Sequence, residues 1–199
     1  MASAQVSFDD IITNLSNNTE RFIYQFNFSA CELWLCNEIC RILNFEEGDG
    51  TSAGKNEFAY NEDNKRDISI YKSLSSSESS LLEHIEVKVV YPSQNLTRDE
   101  NWLDSLVCKL DSASGNNDSS IGYHGWVFFV WTSDLKYSKK YPEPEMFFDK
   151  DVEFIQNKIG NCYESPSRFK SIDVIDGNFE WRGEDKFIVV KGMQFTKIV

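Results

Sequence analysis

The sequence predicts an α/β fold in which a central mixed β-sheet is flanked by helices and followed by additional C-terminal strands. A helix-like apolar segment precedes several short runs in which polar and apolar residues alternate. The run at 125–132 is apolar on both faces, which is typical of a central strand covered on each side. We expect the 199 residues to form a single domain, 1–199.

Two apolar helices are predicted before the first strand. Ser29 is a candidate N-cap, and Glu32 follows three residues later at capping-box spacing. Helical spacing also places Glu32 within the apolar stripe, with Glu38 and Arg41 off it. A carboxylate that points inward needs a partner or a metal. The alternative, with equal weight, is that Glu32 only caps the start of the helix. The earlier helix is indicated by apolar residues at helical spacing: Phe8, Ile11, Ile12 and Leu15.

Alternating runs at 56–60, at 67–71 and at 81–91 predict three strands, the first two as an antiparallel hairpin. The serine-rich segment 73–80 between the last two is expected to be an exposed connector. In an extended chain Asp67, Ser69 and Tyr71 share one face. Glu86 and Lys88 likewise share a face, opposite Ile85, Val87 and Val89. Two strands can therefore bring two carboxylates and an ammonium together, which suits a divalent metal and an activated water beside a phosphodiester.

The rest of the chain predicts a helix through 102–110, the central strand, a turn at 141–144 and a helix at 151–159. Strands at 171–175, 179–182 and 186–191 follow. The residues Asp176, Gly177 and Asn178 predict the hairpin turn between the first two of these strands.

Composition limits the classes of function. No run of about 18 apolar residues or secretory signal is evident, so we expect no membrane partner and a cytoplasmic location. Of five cysteines, Cys31, Cys36 and Cys40 share one apolar segment and are expected to be reduced core residues. With His84 and His124 as the only histidines, a metal site would use oxygen ligands, which favours magnesium. The net charge of −12 argues against nucleic-acid binding but does not fix the sign of a single cleft.

An acid-x-lysine pattern occurs four times, and only Glu86 with Lys88 lies wholly inside an apolar strand. The ordinary interpretation is a solvated strand face with cross-strand charge pairing. The acid on the preceding helix and the Asp that opens the previous strand favour a functional interpretation.

The order of these elements resembles the PD-(D/E)XK phosphodiesterase superfamily, which has the restriction-endonuclease-like fold. The resemblance covers about residues 29–132 and leaves a β-rich extension at about 133–199. It rests on Asp67, Glu86 and Lys88, with Glu32 as the first-helix acid. The proline that names the motif is absent, because Arg66 precedes Asp67.

This resemblance implies a metal-dependent endonuclease that hydrolyses phosphodiester bonds of nucleic acid, with DNA as the favoured substrate and RNA as the alternative. Asp67 and Glu86, with the backbone carbonyl of Val87, would hold Mg²⁺ or Mn²⁺, and Glu32 would be a further ligand. Lys88 would orient or deprotonate the attacking water and offset charge on the phosphate. Family members often act as homodimers.

A basic cluster, Lys136, Lys139 and Lys140, is the candidate contact for the nucleic-acid backbone, with a solvated surface as the alternative. Ser69 or Tyr71 could contact the phosphate, or serve only in strand packing. A different class of function is a catalytically inactive nuclease-fold protein that binds or regulates a basic protein partner, even as an acidic nucleic-acid mimic. An unrelated α/β enzyme is disfavoured because the sequence has no Gly-x-Ser-x-Gly motif and neither histidine lies in a recognisable nucleophile motif.

Overall fold

A computed structural model gives the architecture of the chain. It describes residues 4–18, 23–25, 31–45, 57–61, 67–92, 121–133, 141–154, 157 and 172–196. The strands are β1 Glu57–Asn61, β2 Ile68–Ser73, β3 Ser79–Val90, β4 Gly122–Thr132, β5 Ile172–Trp181 and β6 Glu184–Thr196. They form one six-stranded mixed sheet in the order β1-β2-β3-β4-β6-β5. The α/β class is therefore confirmed, and the two C-terminal strands belong to the same sheet.

Two helices, α1 (Ala4–Asn17) and α2 (Glu32–Phe45), pack on one face of the sheet. The apolar residues that predicted α1 are all buried, and the ring of Phe8 lies 5.1 Å from that of Trp126 on β4. The side-chain amide of Asn44 pairs with both backbone groups of Ala59, at 2.9 and 2.8 Å. This pairing fixes the end of α2 against the outermost strand, β1.

β1 and β2 form the predicted antiparallel hairpin, and β3 in turn pairs antiparallel with β2. The serine-rich segment is only in part a connector, because β2 continues to Ser73 and β3 begins at Ser79, directly opposite in the register. Hydrogen bonding closes the short exposed turn between them, where the N–H of Leu74 donates to the carbonyl of Glu78 at 2.9 Å. The strands extend into the serines because the turn needs only a few residues.

The central position predicted for the apolar run is confirmed in β4. It pairs in parallel with β3 and antiparallel with β6. Trp126 and Phe128 face the helices α1 and α2, whereas Val127 and Phe129 belong to a second apolar cluster on the other face. Both faces of β4 are thus covered, which accounts for its lack of alternation.

The C-terminal hairpin turn lies elsewhere than predicted. Asp176, Gly177 and Asn178 continue β5 and pair with β6. The turn is formed by Arg182 and Gly183, whose φ angles are 56° and 77°. Two-residue hairpin loops with positive φ at both positions match the twist of the strands, and glycine adopts this conformation without strain.

The helix expected at 151–159 begins earlier, as α3 (Pro144–Phe147), and continues as a π-helical turn, Phe148–Val152. Proline at the first helical turn is favoured there because its missing N–H would have no helical partner. The segment places Phe147 and Phe148 in the second apolar cluster, on the face opposite α1 and α2. The helix predicted through 102–110 lies outside the described residues.

Across the described part of the chain, no helix is long and apolar enough to cross a membrane.

Candidate functional site

The ammonium of Lys88 on β3 lies among three carboxylates from three parts of the chain. Its Nζ atom is 3.1 Å from Glu32 Oε1, 3.1 Å from Asp67 Oδ2 and 2.9 Å from Glu86 Oε1. It also donates to the backbone carbonyl of Val87 at 2.8 Å. We call Glu32, Asp67, Glu86 and Lys88 the Lys88 cluster. The four side chains singled out by the sequence therefore converge in the structure.

The point at which β2 begins explains why Asp67 reaches this position. The register of β2 with β3 begins where Ile68 lies opposite Ile85. One residue before that point, Asp67 uses its Oδ2 atom to accept a hydrogen bond from the N–H of Val87 at 2.8 Å. The carboxylate thus takes the place that a backbone carbonyl of a longer β2 would occupy.

Glu32 does the same one step further along β3. Its Oε2 accepts a hydrogen bond from the N–H of Val89 at 3.2 Å, while its Oε1 contacts Lys88. Alternate N–H groups of a strand point to the same edge, so the two carboxylates line the edge of β3 that β2 leaves open. Because β3 extends beyond the start of β2, the two acids can reach its backbone there and lie around Lys88.

The orientation of acids on α2 differs from the helical-wheel prediction. Glu32 is 42% exposed and lies at the start of the helix, facing the sheet edge. Glu38, predicted off the apolar stripe, is buried and forms an ion pair with Arg41 at 2.7 Å. The prediction was wrong for Glu38 because a carboxylate can be buried where a neighbouring guanidinium on the next turn neutralises it.

The electrostatics of the cluster set Lys88 and Glu86 apart from ordinary surface residues. Burial alone would lower the pKa of Lys88, but the charges of Asp67, Glu86 and Glu32 outweigh it and raise the pKa. Burial, together with repulsion from Asp67, raises the pKa of Glu86 despite the attraction of Lys88. Lys88 is therefore a firmly protonated cation, which suits orientation and charge compensation better than proton abstraction.

His84 adjoins the cluster from inside the sheet, and sequence reasoning did not select it. Its side chain is fully buried, and its Nε2 atom lies 3.8 Å from Glu86 Oε2. In the register His84 lies opposite Ser69, which is also fully buried. Its position two residues before Glu86 in an alternating strand was the available signal, because residues i and i+2 share a face. The burial of Ser69 favours strand packing over contact with a phosphate.

The second histidine belongs to a separate pair. His124 on β4 lies 3.9 Å from Glu83, atom Nε2 to atom Oε2. Burial, with a further contribution from His84, lowers the pKa of His124 to about 4. His124 lies opposite Ile85 in the register, and therefore on the sheet face opposite Glu86. It is not part of the Lys88 cluster.

The other acid-x-lysine pair in the described residues has an exposed acid, although its lysine is as little exposed as Lys88, at 15%. Lys186 Nζ lies 2.7 Å from Glu184 Oε2, and the Glu184 side chain is 72% exposed. The same spacing thus gives two outcomes, because only the Glu86 pair lies within a buried strand. The predicted basic contact, Lys136, Lys139 and Lys140, lies outside the described residues.

The donor set of the Lys88 cluster is suited to a hard cation. Carboxylate and carbonyl oxygens are the ligands that Mg²⁺ and Mn²⁺ prefer. Within the described ranges, however, no group of three or more His, Cys, Asp or Glu side chains is arranged to hold a metal ion. The carboxylate oxygens lie 2.9 to 3.1 Å from Lys88 Nζ, the distances of an ammonium–carboxylate contact. Magnesium would hold its oxygen ligands closer, at about 2.0–2.1 Å. The residues fit a metal in chemistry, and the ammonium takes the position between them.

Known proteins do not guide the interpretation of this cluster. Comparisons of the chain with protein-family models, with curated proteins and with solved structures find no match. The chemistry of the site is therefore inferred from its own geometry.

Proposed function

We propose that the protein is a metal-dependent endonuclease of the PD-(D/E)XK type, which hydrolyses phosphodiester bonds of nucleic acid, with DNA as the favoured substrate and RNA as the alternative. The observation that supports this most is the position of Lys88 Nζ, within 3.1 Å of carboxylates from α2, from the residue before β2 and from β3. A purely structural ion pair needs one carboxylate. Three of them leave a local excess of negative charge that a divalent cation would compensate.

Asp67, Glu86 and the carbonyl of Val87 would hold Mg²⁺ or Mn²⁺, with Glu32 as a further ligand. A metal at this position supplies a Lewis acid for the phosphate and a water of lowered pKa. Asp67 and Glu32 are already fixed by hydrogen bonds to the backbone of β3, so their oxygens need little ordering. Lys88 would then give up part of its carboxylate contacts, and its ammonium would be available to the phosphate.

In this arrangement Lys88 stabilises negative charge that develops on the phosphate oxygens and orients the attacking water. Before a metal binds, the charges of Asp67, Glu86 and Glu32 raise the pKa of Lys88 and keep it protonated. His84 lies beside the second oxygen of Glu86, 3.8 Å away on the buried side.

The test is cleavage of supercoiled plasmid, linear duplex and single-stranded DNA and RNA with Mg²⁺ or Mn²⁺. We expect cutting by the wild type, loss of at least about a hundredfold in Glu86→Gln and Lys88→Met, and loss with chelator. Glu184→Gln and Lys186→Met are matched controls, because this pair has the same spacing and an equally shielded lysine but an exposed acid. Equal loss in the control pair, or cutting that persists in Glu86→Gln, would contradict the assignment.

Metal binding is measured independently by titration calorimetry. Wild type is expected to bind Mn²⁺, and Asp67→Asn and Glu86→Gln to bind it at least about tenfold more weakly. Lys88→Met separates two roles of the lysine. Because it removes the cation that competes for the carboxylates, we expect this variant to bind Mn²⁺ at least as tightly as wild type while failing to cut.

The second candidate function is that of an inactive nuclease-fold protein that binds or regulates a basic protein. The absence of a preformed group of metal-holding side chains among the described residues favours it, as does the net charge of −12. In this case the ammonium of Lys88 stays permanently among the three carboxylates. The wild type would then neither cut nucleic acid nor bind Mn²⁺.

A further inference from the structure

Three aromatic side chains form a continuous surface on the β1–β2 hairpin. The rings of Phe58 and Tyr71 stack with centroids 5.8 Å apart and an interplanar angle of 15°. Tyr60 meets both rings edge-on, at 5.3 Å from Phe58 and 6.0 Å from Tyr71. Tyr60 remains 55% exposed. We call these three residues the aromatic platform.

The platform lies on the sheet face toward which Glu86 and Lys88 of the cluster point. Tyr60 is opposite Ser69 in the register, and Ser69 is opposite His84. Residues directly opposite on neighbouring strands point to the same face. His84 in turn adjoins Glu86 at 3.8 Å. Neighbouring strands are about 4.8 Å apart, so Tyr60 is roughly 10 Å from the strand that carries Glu86 and Lys88.

The charge of the hairpin bears on what this surface can bind. The charged residues of β1 and β2 are Glu57 and Lys72, which lie opposite each other in the register. The two strands therefore carry no net charge, in a chain whose net charge is −12. Attraction to phosphates contributes little here, whereas stacking of bases on aromatic rings requires no charge. Base faces are available in single strands and are covered in a duplex.

We propose that the aromatic platform stacks the unpaired bases of single-stranded nucleic acid and positions the strand at the Lys88 cluster. This inference rests on the proposed nuclease function and specifies its substrate class. Cross-strand aromatic contacts also stabilise hairpins. That role accounts for the packing of Phe58 against Tyr71, but it does not require the exposed ring of Tyr60.

The experiment measures binding without cleavage, by fluorescence anisotropy in the presence of chelator. The probes are labelled oligo(dT) and an abasic oligomer of equal length, which carries the same phosphates without bases. The variants are Tyr60→Leu, which keeps an apolar side chain but removes the ring, and Tyr60→Trp, which keeps a ring. Leu74→Ala is the control, because Leu74 is 62% exposed in the neighbouring β2–β3 turn. Circular dichroism checks that each variant is folded.

We expect wild type to bind oligo(dT) at least about tenfold more tightly than the abasic oligomer, as stacking on one ring predicts. Tyr60→Leu should abolish most of that difference, and Tyr60→Trp and Leu74→Ala should retain it. The proposal that the platform stacks bases would be overturned by any of three results. These are equal binding of the two oligomers, no binding of either, or an unchanged difference in Tyr60→Leu.

The outcome is separable from that of the nuclease proposal. Base-dependent binding through Tyr60 without any cutting would retain the platform and reject the nuclease. Metal-dependent cutting that requires Glu86, with no effect of Tyr60→Leu on binding or on cutting of single strands, would retain the nuclease and reject the platform.

Discussion

The carboxylate of Asp67 accepts a hydrogen bond of 2.8 Å from the backbone N–H of Val87, and the same oxygen lies 3.1 Å from Lys88 Nζ. One oxygen thus completes the backbone hydrogen bonding of β3 and contributes to the charged cluster. Because Val87 itself is fully buried, the contact matters for the fold as well as for the site. This double role makes the effect of each substitution predictable.

Asp67→Ala is expected to lower the free energy of unfolding by about 1–3 kcal/mol, because it leaves the N–H of Val87 without this acceptor. Asp67→Asn keeps a side-chain oxygen in the same place and should lose clearly less. Urea unfolding of the two variants beside wild type measures the difference. Equal stability of Asp67→Ala and wild type would show that the hydrogen bond does not support the strand.

Glu86→Gln is expected to be more stable than wild type at pH 7. Burial and repulsion from Asp67 raise the pKa of Glu86 above its ordinary value of 4.5, so the fold favours the protonated acid. That contribution is present below pH 4.5 and is lost as the pH rises through the pKa of the folded state. Glutamine keeps it at neutral pH. The stability difference, measured by urea unfolding, should therefore shrink as the pH falls toward 4.

Glu184→Gln is the control for this pH dependence, since its side chain is largely exposed. A Glu86→Gln variant that is less stable than wild type at pH 7 would mean that the ion pair with Lys88 outweighs the cost of burial.

The opposite pH dependence is expected for His124. Its pKa is lowered from 6.5 to about 4 because burial, and next the neighbouring His84, disfavour the protonated ring. Its contribution to stability is present above pH 6.5 and is lost as the pH falls through the pKa of the folded state. Relative to His124→Asn, wild type should lose up to about 3 kcal/mol between pH 6.5 and pH 4. Parallel slopes for the two proteins would contradict the assigned burial.

The three cysteines in the apolar cluster between the sheet and the helices α1 and α2 are expected to resist alkylation in the folded protein. Cys31, Cys36 and Cys40 are buried free thiols, in agreement with the sequence-based prediction. Burial raises the pKa of Cys31 to about 11 and that of Cys40 to about 12, and it also raises the pKa of Cys36. Since the thiolate is the reactive form, iodoacetamide should modify them only after unfolding. Peptide mass mapping before and after denaturation measures this, and rapid native labelling of Cys36 would contradict it.

Local patterns determined the element types and the core of the candidate site. The period of two in β3 placed Glu86 and Lys88 on one face, because alternation follows directly from the pleat of an extended chain. The helical spacing in α1 and the doubly apolar run of β4 were similarly sufficient. These features depend on residues close together in sequence.

Tertiary structure decided how distant residues meet. Helical spacing alone misplaced Glu38, because the nearby guanidinium of Arg41 makes its burial tolerable. Asp176, Gly177 and Asn178 do not form the predicted turn, because they continue β5 and pair with β6. The chain turns instead at Arg182 and Gly183. His84 could be connected to Glu86 only once its burial was known. The sequence by itself determined which acids and which lysine share a strand face, since that follows from backbone periodicity. Only the tertiary structure decided that Glu32 and Asp67 join them. Their positions depend on where β2 begins, because β3 continues past that point without β2 as a partner.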